Sequence, residues 1–248
     1  MSTLALSPAT PMTELQPIIL PSLESQLRAL ALLGCAMVAG MFVLFVATGI
    51  GQDPLQFMHS PADYTAILLR RPALLRLCIG LDNGFIIFYS TMWLVLGQLL
   101  LRHGAPRMMT IASISLLLAV GALDMLENFH FLSMLSSAEL GQVISSDEIR
   151  YQVTESLFKF HISYLGLFLL GFVLPRHNWA GRLTAFASWF VQLPVGILIY
   201  VAPPSLAKPL VLVRLTYFVT ALIATTFLFR ATGRSTGQPT DQARSATT

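Results

Sequence analysis

IASISLLLAVGALDMLENFH, residues 111–130, decides the fold. Its first thirteen residues, 111–123, contain no group that ionises, and its last seven hold Asp124, Glu127, Asn128 and His130. Extended on both sides to about 108–132, the segment has the length and apolarity of a helix that crosses a bilayer, for which about 20 apolar residues suffice. The acids at one end are then exceptions that must face other protein groups rather than lipid.

The rest of the chain has the same character. Of 248 residues, 55% are hydrophobic and 11% charged, with a net charge of +3. A soluble domain carries about 25% charged residues to wet its surface, so the main solvent of this chain is lipid. That excludes an ordinary soluble enzyme, a nucleic-acid module and a disordered protein. The basic residues sit at helix ends and form no stripe for nucleic acid. Cys35 and Cys78 are the only cysteines, too few for a disulfide framework or a zinc knuckle. Their predicted depths differ by about 15–20 Å, beyond disulfide reach.

The predicted fold is an all-α, polytopic membrane protein, a bundle of six transmembrane helices. The spans are about 29–50, 77–101, 108–132, 156–174, 183–202 and 209–229, together forming one domain over 29–229. Residues 1–28 form an N-terminal cytoplasmic segment, and the Ser/Thr/Gly/Arg-rich tail 230–248 is predicted to be disordered. With both termini cytoplasmic, eight arginines (28, 102, 107, 176, 182, 230, 234, 244) fall inside. Five basic residues (70, 71, 76, 150, 208) fall outside, with most of the loop acids. The positive-inside rule therefore favours an N-in, C-in chain in the plasma (bacterial inner) membrane.

Two outer loops carry helix-start signals. Ser60-Pro61-Ala62-Asp63 pairs a capping serine with proline at the first helical position, so Tyr64–Leu69 is expected as a short helix lying on the membrane surface. Ser145-Ser146-Asp147-Glu148 has capping-box spacing, which starts the fourth helix about two turns before it enters lipid. Gly80 and Gly84 have the four-residue spacing of a close helix contact, and Pro194 is expected to kink the fifth span. Trp179, Tyr151 and Tyr200 suit the membrane interface.

The intramembrane polar residues fall at one depth. Asp82 and Asn83 in span two, Asp124, Glu127 and Asn128 in span three, His161 in span four and Arg214 in span six all lie about 7–12 Å below the outer boundary. Asp124, Glu127 and Asn128 share one helix face. These seven residues are the expected site, an outward-facing acidic/His/Asn/Arg pocket. Asp124 and Glu127 are its anionic core, oriented by Asn128, and Asp82 completes it. His161 is its proton partner and Arg214 its counter-charge. His130, Lys159, Tyr164 and Tyr217 stand at its margin. Lys159, about 200° round the helix from His161, is expected to snorkel to water or pair with Glu155.

Several activities suit such a layer. The first is binding or translocating a small polar or cationic ligand or a proton. A second is an intramembrane enzyme acting on a lipid-like substrate, with Asp82, Asp124, Glu127 and His161 as the ligand set if a metal such as zinc is used. No HExxH or G-x-S-x-G motif is present to support hydrolysis. Haem held by His130 and His161, and a structural subunit whose polar layer locks the bundle, are further readings. The residues require no cofactor. The expected partners are the bilayer and a small polar or lipid-like ligand, with no nucleic acid.

Overall fold

A computed structural model describes residues 21–201 and 203–229. The first 20 residues and the tail predicted to be disordered, 230–248, lie outside the described residues. In chain order the elements are α1 (Leu23–Thr48), a 3₁₀ turn (Asp53–Gln56), α2 (Pro61–Leu69), α3 (Pro72–Arg102), α4 (Arg107–Glu139) and α5 (Ser146–Val173). There follow α6 (Trp179–Ala187), a π turn (Ser188–Gln192), α7 (Leu193–Val201) and α8 (Pro204–Thr225). Among the described residues there is no strand.

Five helices are long and apolar enough to cross a membrane: α1, α3, α4, α5 and the continuous Trp179–Val201. The last helix contributes a shorter apolar stretch, Pro209–Thr225. The helices pack as a ring in which α3 lies between α1 and α4, α5 joins α4 to α6 and α7, and α8 closes back onto α1. Lipid-type side chains cover the outside, Phe42, Val43, Phe45 and Val46 on α1 among them.

The helices α3 and α4 are longer than the predicted spans. Proline at N1 starts α3 at Pro72, five residues before the expected boundary, because its missing N–H is an orphan there anyway. With 31 and 33 residues they reach about 47–50 Å, well past the hydrocarbon core. Their projecting ends are tied by Arg76, which donates to Glu139 at 2.5 Å and to Ser136 at 3.3 Å. Gly141, at φ 73°, ends α4 in the left-handed turn that glycine makes without strain.

At the start of α5 the Ser145 hydroxyl accepts the Glu148 N–H at 3.1 Å, as the sequence spacing predicts. Ser145→Ala should cost about 1 kcal/mol of stability, and Ser145→Asp should cost almost nothing. Melting of the purified protein in detergent checks both.

Helix α2 departs from expectation. Ser60 caps it, accepting the Asp63 N–H at 3.2 Å, but part of its apolar face is covered by protein. Tyr64 and Leu68 are fully buried with Leu55, Phe131, Leu135 and Ile149 in a core at the α2 end of the bundle. Lipid was the expected cover for that face, and the overhanging ends of α4 and α5 supply protein instead. A second core, built on Met92, Leu96, Leu100, Leu117 and Leu170, fills the opposite end.

The glycine pair is used unequally. Gly84 faces the Met37 sulfur, where an added Cβ would stand at 3.2 Å, whereas nothing lies within 4 Å of a Cβ at Gly80. Pro194 stands two residues after the end of the π turn. It has no N–H to bond the Phe190 carbonyl, and its ring crowds that oxygen. The widened turn is a common way for a helix to absorb such a defect. Both cysteines are free thiols.

Candidate functional site

Between the two apolar cores lies a polar layer held by α3, α4 and α5. Neighbouring helices are antiparallel, so contacts step along them in register. Tyr89 meets Asp124 while Asn128 meets Asp82, and Lys159 meets Asp124 while Gln152 meets Glu127.

Glu127 is 2% exposed and is saturated with donors. Its carboxylate accepts from the Lys159 ammonium and the Ser156 hydroxyl, from the Gln152 amide at 3.3 Å, and from Gln56 at 3.5 Å. Lys159 is buried and also reaches Asp124 at 2.8 Å. Asp124 accepts the Tyr89 hydroxyl as well. On the other side of α4 the two hydrogens of the Asn128 amide are divided between Asp82 at 2.7 Å and Asn83 at 2.8 Å. An ammonium, three carboxylates and their amide partners therefore share one site.

The loop between α1 and α2 forms its roof. Gln56 ends the 3₁₀ turn, which the Tyr64 hydroxyl fixes by donating to the Leu55 carbonyl at 3.1 Å. Burial first, then the Glu127 and Glu148 carboxylates, hold the Tyr64 phenol above the ordinary tyrosine pKa, so it remains a donor. At its edge Asp82 and Asn83 are half-buried, and the Asp124 side chain is 18% exposed.

The structure thus brings together Asp82, Asn83, Asp124, Glu127 and Asn128, and adds Lys159. The expectation that Lys159 snorkels to water or pairs with Glu155 is corrected: it is the counter-charge of the site. Glu155 instead lies 3.0 Å from His130 Nδ1. The two ends of the Lys159–His161 relation cannot both face the bundle, because they lie about 200° apart around one helix. Lys159 faces in, so His161 faces out. It is exposed, with Nδ1 2.7 Å from the Leu157 carbonyl and its ring stacked on Tyr200.

Arg214 also leaves the expected set. It is 6% exposed, and its guanidinium lies 4.0 Å from the centre of the Phe160 ring, with no carboxylate of the described residues in ion-pair range. Tyr164 packs on Gly196, and Tyr217 shares a 2.6 Å hydrogen bond with Ser188.

These placements correct the metal and haem sets. Among the described residues no group of three or more His, Cys, Asp or Glu side chains is arranged to hold a metal. His161 is turned away from Asp82, Asp124 and Glu127, and the Lys159 ammonium sits between two of those carboxylates. For haem, the register that pairs Lys159 with Asp124 sets His130 and His161 about 12 Å apart along the bundle. They also point to different neighbours.

Five site residues lie beyond the sequence-predicted set: Gln56, Tyr89, Gln152, Ser156 and, through His130, Glu155. Gln152, Ser156 and Lys159 follow i, i+4, i+7 spacing, a polar stripe that helical periodicity makes visible. Gln56 carries no such signal, because it meets Glu127 across 71 residues of sequence. No family profile, curated protein or solved structure matches this chain.

Proposed function

We propose that the chain is a six-span protein of the plasma membrane, with both termini cytoplasmic, whose carboxylate layer takes up and releases a proton or a small cation at the outer face. The count of six adds the Pro209–Thr225 stretch to the five long apolar helices. The orientation follows from the excess of arginine on the side assigned to the cytoplasm.

One observation carries the functional reading: three carboxylates face a single ammonium. Lys159 serves Asp124 and Glu127, whereas Asp82 meets only the Asn128 amide. Two charges in excess are costly in a site shielded from water, and a bound proton or cation offsets that cost. The amide oxygens agree with this. Asn128 Oδ1 and Gln152 Oε1 are buried, lie beside the carboxylates and have no donor. A protonated Asp82 carboxyl, or a cation held beside it, supplies what the Asn128 oxygen lacks.

The roles then divide. Glu127, with its four donors, anchors the layer and orients Lys159. Asp82, half-buried and without a cation, is the group that exchanges.

Difference infrared spectroscopy of the reconstituted protein over a pH series reads the protonated carboxyl band directly. Asp82→Asn, which keeps the side-chain shape, is expected to remove that band and to abolish proton uptake into dye-loaded vesicles while leaving the melting temperature nearly unchanged. Uptake and band equal to wild type in Asp82→Asn would overturn the assignment.

A further inference from the structure

A second set of buried polar groups lies on α5, α7 and α8, apart from the carboxylate layer. Arg214, on α8, is almost wholly buried, and none of the described residues gives it a carboxylate or a hydrogen bond. A guanidinium taken out of water without a counter-ion is among the costliest groups a protein can hold. Aromatic contact with Phe160 at 4.0 Å offsets a part of that cost only.

The surroundings supply further donors. The Tyr164 hydroxyl is buried with no hydrogen bond of normal geometry, and the Tyr200 hydroxyl interacts with it. Arg214 acts electrostatically on that Tyr200 phenol. His161 stacks on Tyr200 with the ring centres 5.4 Å apart and stands exposed at the rim. A negatively charged partner is the one that offsets both the lost hydrogen bonds and the buried charge of a guanidinium.

We infer that Arg214, Tyr164 and Tyr200 form a site for a phosphate group, entered past His161. The guanidinium offers a flat fork of N–H donors that matches two phosphate oxygens, and the phenols donate to the others. Position favours phosphate over other oxyanions. Tyr200 lies next to the end of α7, close to the connection into α8, where a bilayer presents its headgroups. On α8, Leu212, Val213 and Leu215 are exposed, so the faces of the helix on either side of buried Arg214 are turned to lipid. The inference stands independently of the proton or cation reading of the carboxylate layer.

The test is a melting titration of the full chain in maltoside detergent, with phosphatidylglycerol or inorganic phosphate as the probe. Wild type should melt at higher temperature with at least one probe. A response to phosphatidylglycerol alone assigns the group to a lipid headgroup, and a response to both assigns it to phosphate from either source. In Arg214→Gln the half-saturating concentration should rise about tenfold or more, with Arg214→Lys between the two. Tyr164→Phe removes one oxygen and is the second variant should Arg214→Gln fail to fold. It should weaken binding a few-fold without lowering the melting temperature of the ligand-free protein. The site is overturned if neither probe shifts wild type, or if both variants that fold bind as wild type does.

Discussion

Lys159→Met should lower stability by about 3–5 kcal/mol, enough to remove most of the folded protein. Methionine has nearly the length of lysine and is at home in an apolar helix, so the change removes the ammonium and little else. Its loss leaves Asp124 and Glu127 ionised at a buried site whose nearest cation is gone. Ser156, Gln152 and Tyr89 still donate, but hydrogen bonds do not neutralise charge. The effect belongs to the uncompensated carboxylates rather than to lysine as such. A variant combining Lys159→Met with Glu127→Gln and Asp124→Asn should therefore recover a large part of the stability. Unfolding of the purified protein in mixed detergent micelles measures both variants against wild type. A Lys159→Met protein as stable as wild type would show that the ammonium is not needed to hold the layer.

Gly181→Ala should cost about 3 kcal/mol, at the upper end of the usual range for overpacking. The position sits where the turn after α5 enters α6. A Cβ there would point into the Pro175 carbonyl oxygen, a backbone atom that no rotamer change can move. The same residue donates its N–H to Asn178 Oδ1 at 2.8 Å, and Asn178 reaches on to the Leu228 carbonyl at 2.5 Å beyond α8. Opening the turn to admit a methyl would therefore pull on α5, α6 and the end of α8 together. Gly80→Ala is the matched control. It lies inside α3 with nothing within 4 Å of the new atom, so helix propensity should make it neutral or stabilising by up to about 1 kcal/mol. Comparable melting temperatures for the two alanine variants would refute the steric account.

Much of the layer was legible before folding. Asp124, Glu127 and Asn128 share a face by helical period alone, and Asp82 matches their depth because adjacent spans run in opposite directions. Charge partners were not legible. Lys159 and His161 are equally polar and two residues apart, and only the rotation of α5 about its axis selects between them. Arg214 was assigned to the acids because it is the complementary charge at their depth. Depth measures distance along the bundle normal and says nothing of position around the ring, where α8 stands between α7 and α1.

The sequence by itself pointed to lipid as the solvent, to helices as the elements and to one level for Asp82, Asp124, Glu127 and Asn128. Each of these follows from composition and from a one-dimensional period. Tertiary structure alone decided that Lys159 neutralises the site, that the 3₁₀ turn roofs it through Gln56, and that Arg214 lies apart on Phe160. Those outcomes depend on helix rotation and on which faces meet across long stretches of chain, and packing of the whole bundle sets both.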